Sequence, residues 1–589
     1  MYEQVDLTKI GDVACLRISG PPVNALTPSL IRKLSSAIDA FEAWPGLSAL
    51  VIWAEGADFS GGCDLSLLDD PSNDQVLFNA CLDRLENATR PVIAALHGHV
   101  LGSGLALAMA CHFRVANDTA QFGLPERQFG LIPGGQVTQR LPRLIGVPRT
   151  LDLITRDSVF SASCALNMGL IDRVAEGSAL EIGLCFAGDV RRRAPKLRRT
   201  RDIAPAAIAA SRSALSQARA AANGDTVKLA GIAAVGASLD RTFRDGAAIE
   251  TKAACDAMAL PRFHALRHLF FAERAAVRRP FLRHPKAPST ITNVGIISDG
   301  PTGISLAERC ADAGLAVILT GTDLDKLDQS ELIIDTVSNT QAQAAARART
   351  IAKTCTENAI FATLAEDLSS IASAFGDRVR CVGLQTSGTQ QNGGLIELVR
   401  TPETNAKTLS NVIGFAQHLG FACILRDHSG EPLINRIARE YRRIGESLTI
   451  TGATPDQIDT AMKTFGMQAG PFQIADWLNG GAVVANRASQ AQERKPTIML
   501  DKMIVEQMLK GIRQTGMRLV DTGEVENLSD LDVIWTSGLG FPRDLGGPMF
   551  MSACTTQARR DKDHSDPITS IAQTCGDQFS IPSASVRPT

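Results

Sequence analysis

Two glycine-rich stretches and one glutamate are the parts of this chain best suited to chemistry. Residues 102–108, Gly-Ser-Gly-Leu-Ala-Leu-Ala, form a predicted glycine turn that opens a helix. The N-terminus of a helix presents free backbone N–H groups and a partial positive charge, which stabilise an anion. Residues 123–135 follow and include Glu126, whose carboxylate could accept and return a proton. This combination favours acid–base chemistry on a substrate that develops negative charge; turns that serve only the fold are the alternative interpretation.

The motifs around these residues resemble those of the crotonase (enoyl-CoA hydratase/isomerase) family. The similarity continues along the chain, at residues 111–116, 138–146, 169–172, 265–274 and 538–542. Taken together, these stretches resemble the multifunctional enzymes of fatty-acid β-oxidation, which join a crotonase domain to a 3-hydroxyacyl-CoA dehydrogenase. The resemblance implies an α/β multidomain protein with a crotonase (ClpP-like spiral) domain, a Rossmann-like domain and all-helical C-terminal domains.

The resemblance also places a CoA-thioester site in the first domain. Its oxyanion hole, which stabilises negative charge on the thioester oxygen, would consist of the backbone N–H groups of Gly61 and Ser103. Residues that match the pantetheine groove of the family are Asn24, Ala25, Leu26, Asp64 and Leu65. In the loop 133–139, which departs from the family pattern, Gln136 or Val137 is expected to narrow the pocket, and Gln136 could supply a polar group to it.

The acid–base residues decide which reaction is expected. Hydratases of the family hold a water molecule between two glutamates; Ala106 occupies the position of the first, and Glu126 matches the second. One carboxylate beside an oxyanion hole can move a proton from C2 to C4 of a 3-enoyl-CoA, so an enoyl-CoA isomerase is predicted. The alternatives are an atypical hydratase, a hydrolase or decarboxylase of CoA thioesters, and a non-catalytic acyl-CoA-binding subunit of a β-oxidation complex.

The second half is expected to have lost its dehydrogenase chemistry. A Gly-x-Gly-x-x-Gly turn binds the diphosphate of NAD, but here Ser298 replaces the first glycine and Asp299 adds a negative charge. Gly321 takes the place of the acidic residue expected on the ribose. The His–Glu pair of the family reads Gln385 and Glu397, and glutamine cannot act as a general base. We therefore predict no NAD cofactor and no dehydrogenase activity.

Alternating short apolar runs and amphipathic stretches place these motifs on elements. A helix is predicted over residues 28–41 and a strand over residues 293–297, with a following helix and strand that make a Rossmann-like unit. The predicted segments are a crotonase domain (1–190), a helical linker region (191–290), a degenerate Rossmann-like domain (291–405), two helical domains (406–490 and 491–560) and a disordered tail (561–589).

Composition excludes several other classes of function. The net charge of −2 in 589 residues gives no broad basic surface for nucleic acid, and no apolar run is long enough to span a membrane. The 13 cysteines lack the spacing of a metal site and suit a reducing compartment. With no signal peptide and no Ser-Lys-Leu-type C-terminus, a cytoplasmic location is expected. The expected partners are an acyl-CoA substrate and, in assembly, a thiolase or further copies of the chain.

Overall fold

The structure, a computed structural model, describes most of the chain. The described residues are 3–67, 71–156, 159–205, 208–279, 281–282, 291–337, 340–365, 367–387, 394–427, 430–478 and 501–560. They divide into two compact units, one ending at His264 and one beginning at Ala265. The predicted linker region 191–290 is thus shared between the units, and the finer division into six segments stays a prediction. The predicted disordered tail lies outside the described residues.

The first unit is built on two sheets. A six-stranded sheet has the order β1-β2-β3-β4-β6-β9, parallel except for the β1–β2 pair, and a small sheet has the order β5-β7-β8. The strands are β1 Gln4–Ile10, β2 Val13–Ser19, β3 Ala49–Ala54, β4 Val92–Leu96, β5 His99–Leu101, β6 Phe113–Ala116, β7 Gln121–Gly123, β8 Phe160–Ser161 and β9 Arg173–Val174.

Helices cover both faces of the large sheet. The helices of this unit are α1 Pro28–Ala43, α2 Pro71–Glu86, α3 Ser103–Ala110, α4 Val137–Ile145, α5 Val147–Thr155, α6 Ala162–Met168, α7 Ala179–Arg193, α8 Ile208–Ala221, α9 Thr226–Asp240 and α10 Phe243–Met258; α11, Pro261–Ala275, contains the boundary between the units. Strands such as β4 are continuously apolar because α1, α2 and α3 pack on one face and α7 on the other.

The second unit begins with a seven-stranded sheet of Rossmann-like order, β11-β10-β12-β13-β14-β15-β16, in which only β14 and β15 run antiparallel. Its strands are β10 Asn293–Ile297, β11 Ala316–Thr320, β12 Leu332–Asp335, β13 Ile360–Thr363, β14 Cys381–Ser387, β15 Leu395–Arg400 and β16 Ala422–Arg426. Its helices are α12 Pro301–Asp312, α13 Gln341–Thr354, α14 Leu368–Phe375 and α15 Ala406–His418.

A helical region follows the seven-stranded sheet. Its helices are α16 Leu433–Ile450, α17 Pro455–Phe465, α18 Ile474–Leu478, α19 Asp501–Asp521, α20 Leu528–Val533 and α21 Pro548–Arg560. They enclose a core in which Tyr441 packs edge-on against Trp535, with ring centroids 5.3 Å apart. None of the helices described in either unit combines the length and the apolar character needed to cross a bilayer.

Candidate active site in the first unit

The glycine turn joins three segments of the chain at the start of α3. Gly102, at φ +51°, is the N-cap residue, and its N–H donates to the Gly123 carbonyl (3.0 Å). The Leu101 N–H donates to the Ser60 carbonyl at 3.0 Å. These bonds tie the turn to the 59–64 loop and to β7. Ser103 is the first helical residue, so its N–H lacks an intrahelical acceptor and lies at the positive end of the helix dipole.

Glu126 faces this turn from a short 3₁₀ helix, Pro125–Phe129, which ends at Gly130 with φ +65°. A β-carbon placed on Gly102 would lie 2.7 Å from Oε1 of Glu126, so the carboxylate lies directly against the glycine. Oε2 of Glu126 is buried and has no hydrogen-bond partner among the described residues. Burial raises the pKa of this carboxyl to about 7, because a charge is poorly solvated there. Glu126 can therefore both take and release a proton near neutral pH.

The surroundings of the Ala106 side chain are apolar and closely packed. Ala106 lies one turn along α3 from Gly102 and is fully buried. A β-carbon on Gly135, a residue at φ +70°, would lie 2.9 Å from the Ala106 methyl carbon and 2.6 Å from Cε1 of Phe78. Gly135 and Phe78 therefore pack tightly beside Ala106, where a longer side chain would have to project.

The oxyanion donors need one correction. The Gly61 N–H donates to the Val23 carbonyl at 2.7 Å, so it is committed within the protein and is not the free donor that the sequence predicted. The Cys63 N–H, in contrast, donates to no backbone carbonyl within the described part of the chain. The Cys63 thiol hydrogen-bonds to Ser103, and burial together with the Glu126 charge raises its pKa to about 12. Cys63, Ser103 and Glu126 thus share one site.

The residues predicted to line the pantetheine groove play different parts. The Asn24 side chain is buried and fully used, because it accepts from the Gly20 N–H (2.7 Å) and donates to the carbonyls of Glu55 (2.8 Å) and Asp58 (2.7 Å). It shapes the loop and is not free to contact a ligand. Of the other four predicted groove residues, Leu26 and Leu65 are buried and Ala25 is half-buried. Asp64 is half-buried, and its carboxylate accepts from the N–H and the hydroxyl of Ser66. A groove role for them stays a prediction.

Gln136 does not supply the polar group expected of it. Its side chain accepts from Arg140 (2.6 Å) and donates to Asp83 (3.2 Å), both outside the closely packed surroundings of Ala106. Its backbone N–H donates to Glu250 at 2.6 Å, across 114 residues of sequence. Sequence reasoning missed Glu250, although its position on the buried stripe of α10, with Ala247, Ala254 and Ala257, marks it as a carboxylate where an apolar residue is expected.

The second unit does not present a fitting NAD site at the turn that precedes α12. The Ser298 hydroxyl accepts from the Gly300 N–H (3.2 Å), so one of the loop donors that a diphosphate would need is already bonded. Asp299 places a carboxylate in the same loop. Gly321 has no side chain to offer the ribose, and a β-carbon there would approach the Ser298 carbonyl at 3.6 Å. The chemistry of these donors disfavours a nucleotide diphosphate.

Gln385 and Glu397, which stand where the dehydrogenase His–Glu pair is expected, lie next to each other, but both side chains are hydrogen-bonded to backbone groups of the protein. Gln385 and Glu397 are direct cross-strand partners on β14 and β15. Gln385 donates to the Leu364 carbonyl (2.6 Å). The buried Glu397 accepts from the N–H groups of Leu433 (2.9 Å) and Ile434 (2.8 Å), and so caps α16. In the described residues, no cluster of His, Cys, Asp or Glu could hold a metal ion.

Comparison with known proteins supports this two-part description. The family model for enoyl-CoA hydratase/isomerase matches residues 9–185. The family model for the NAD-binding domain of 3-hydroxyacyl-CoA dehydrogenase matches residues 304–428, and the model for its C-terminal domain matches residues 433–511. The predicted fold class, with its crotonase, Rossmann-like and helical parts, is therefore confirmed.

Curated relatives match over nearly the whole chain. The peroxisomal bifunctional enzyme of Danio rerio is 25% identical, over 92% of this chain and 91% of its own length. The glyoxysomal fatty acid beta-oxidation multifunctional protein MFP-a of Brassica napus is 26% identical, over 84% of this chain and 76% of its own. A solved enoyl-CoA hydratase from Mycobacterium avium subsp. paratuberculosis is 22% identical, with a TM-score of 0.34, over 45% of this chain and 97% of that one.

These names contradict the expected cytoplasmic location. Relatives that match over 80–92% of this chain are named peroxisomal or glyoxysomal. The expectation was wrong because free cysteines report only that a compartment keeps thiols reduced, which does not distinguish the cytosol from an organelle. An enoyl-CoA hydratase/isomerase match is thus followed by matches to both 3-hydroxyacyl-CoA dehydrogenase domains, and the chain is similar to proteins named peroxisomal bifunctional enzyme and fatty acid beta-oxidation multifunctional protein.

Proposed function

We propose that the first unit isomerises 3-enoyl-CoA thioesters to 2-enoyl-CoA thioesters, with Glu126 as the acid–base residue. The observation that carries this proposal is the contrast along α3. Glu126 places an unpartnered, buried carboxylate oxygen beside the first turn of the helix, whereas Ala106, one turn on, is enclosed by Gly135 and Phe78. Among the described residues, this site has one group placed to move protons, and the α3 position that would carry the second, water-holding carboxylate is an alanine.

The reaction needs only groups present in this unit. The Glu126 carboxylate takes a proton from C2, and the electron pair of that C–H bond moves toward the thioester carbonyl to give a dienolate. The N–H groups of Ser103 and Cys63 are the donors we assign to the enolate oxygen, in place of Gly61. Protonated Glu126 then delivers the proton to C4, and the double bond shifts into conjugation with the thioester. A carboxyl pKa of about 7 suits both transfers.

The test supplies 3-enoyl-CoA and 2-enoyl-CoA separately to the full chain and identifies the products by chromatography and mass. We expect isomerisation of the first and negligible hydration of the second. Glu126→Gln should lower isomerisation by at least about a hundredfold, because glutamine cannot accept the proton. Glu181→Gln, which alters an exposed helix-capping carboxylate on α7, is the matched control and should leave the rate unchanged. Hydration at a rate comparable to isomerisation would overturn the proposal.

We also propose that the second unit is inactive as a dehydrogenase. Three features support this. The Ser298 hydroxyl accepts the hydrogen bond of the Gly300 N–H, Gln385 stands in place of the general base, and Glu397 accepts from N–H groups at the start of α16. The match to the NAD-binding family model begins at residue 304, after the loop that would hold the diphosphate.

A further inference from the structure

A buried carboxylate on α10 anchors the loop that packs against Ala106. Glu250 lies on α10 and is completely excluded from solvent. Oε1 accepts from the Gln136 N–H (2.6 Å), and Oε2 accepts from the Thr138 N–H (2.7 Å) and the Thr138 hydroxyl (2.6 Å). These donors surround the start of α4, so Glu250 caps this helix from a distant part of the chain.

The residue that Glu250 holds has an unfavourable backbone conformation. Gln136 has a φ of +63°, in the left-handed region that costs free energy for a residue with a β-carbon. Such a conformation persists only when its surroundings fix it. Glu250 fixes the N–H of Gln136, while Arg140 and Asp83 fix its side chain.

The turn fixed in this way forms part of the candidate active site. Gly135, the neighbour of Gln136, packs against Ala106 and Phe78. Ala106 donates its N–H to Gly102, the residue that faces the Glu126 carboxylate. We propose that Glu250 is a positioning residue of this site. It holds the Gly135–Gln136 turn against α3 and so maintains the close apolar packing around Ala106, next to Glu126. This inference rests on the proposed isomerase function and extends the catalytic unit beyond the matched segment 9–185.

The charges near the two carboxylates give this role a measurable signature. Burial raises the pKa of Glu250 to about 7 as well, so its negative charge is present above that pH, where it acts on Glu126 and raises the pKa of Glu126 beyond the effect of burial. Arg140 partly offsets the charge of Glu250, and it is itself paired with Glu86 at 2.6 Å. Arg140 also lies 4.0 Å from Asp83, which pairs with Arg201 (2.7 Å), and the Cys63 thiol is close enough to Glu126 to be affected by its charge. Removing the Glu250 charge should therefore lower the pKa of Glu126.

The experiment compares the full chain with Glu250→Gln and Glu250→Ala, and Glu181→Gln is the control because it also caps a helix. Isomerisation is measured from pH 5 to 9, and hydrogen–deuterium exchange is measured for the segment 133–145. Glu250→Ala should exchange faster at 133–138 and lose about tenfold or more in kcat, with a smaller change in KM. Glu250→Gln keeps an acceptor oxygen and should fold even where alanine does not. Its rate ratio between pH 6 and pH 8 should rise above the ratio of about 0.1 that is expected of the wild-type chain from a Glu126 pKa of about 7.

Four outcomes separate the possibilities. Faster exchange at the turn with a rate profile moved to lower pH supports the positioning role. A loss of thermal stability with an unchanged profile and unchanged kcat would show that Glu250 serves only the fold and would overturn the inference. A wild-type chain without isomerase activity would refute the proposed function, while unaltered exchange at 133–138 in both variants would separately refute the anchoring by Glu250.

Discussion

At the scale of single residues, the environment of Glu126 sets the pH dependence of the reaction. The carboxyl has a pKa of about 7 because it is buried, and only its ionised form can accept the proton from C2. We therefore expect kcat/KM to rise about tenfold per pH unit below pH 6 and to level off above pH 8. Initial rates across this range test the expectation. An acid limb near pH 4.5, as for an ordinary exposed glutamate, would show that another group controls the reaction.

Ala106 allows a second prediction at the same scale, because Gly135 and Phe78 pack tightly beside its side chain. Restoring the missing carboxylate with Ala106→Glu should not create a hydratase, since Gly135 and Phe78 leave no room for it. Overpacking should reduce the free energy of unfolding by about 1–3 kcal/mol, with a further cost for burying the charge. Thermal unfolding and product analysis check this, with Ala106→Ser as the control. Efficient hydration with unchanged stability would contradict the expected lack of space.

At the scale of secondary-structure elements, the second unit shows a catalytic pair whose surroundings have changed. Gln385→His would restore a histidine opposite Glu397, but both oxygens of Glu397 accept N–H groups at the start of α16. We expect this variant to show no NAD-dependent oxidation of 3-hydroxyacyl-CoA.

We also expect NAD to leave the midpoint of thermal unfolding of the wild-type chain unchanged, whereas a ligand present at 100 times its Kd would stabilise the fold by about 2.7 kcal/mol. Micromolar NAD binding by the wild-type chain would contradict the predicted loss of NAD binding.

Local patterns predicted the elements well, and long-range contacts decided the site. The strand over 293–297 is found with those bounds, and the helix predicted over 28–41 extends to Ala43. Gly61 was assigned incorrectly because the acceptor of its N–H, Val23, belongs to another loop that no local pattern relates to it. Glu250 was missed for the same reason: its donors at Gln136 and Thr138 are more than 100 residues away. Periodicity identifies which residues are buried, and tertiary contacts determine which N–H group remains free.

At the scale of the whole molecule, the described contacts that define the site all belong to the first unit. Helix α9 packs on α4 through the Gln139 side chain, which donates to the Ala234 carbonyl (2.8 Å), and α10 contributes Glu250. An apolar cluster that includes Val147, Ile232 and Val235 joins α5 to α9. The helical segment after residue 190 is therefore an integral part of the catalytic unit.

This organisation predicts a difference between two truncated chains. A fragment of residues 1–264 keeps every contact described for the site and should retain isomerase activity within about tenfold of the full chain. A fragment of residues 1–190 loses α8, α9 and α10, so it exposes the apolar faces of α4 and α5 and leaves Gln136 without Glu250. It should be aggregation-prone and inactive even though it contains Ser103, Cys63 and Glu126. Circular dichroism, sedimentation and isomerase assays compare the two fragments. Full activity in the shorter one would show that the helical segment is dispensable and that the catalytic unit ends near residue 185, where the match to the enoyl-CoA hydratase/isomerase family model ends.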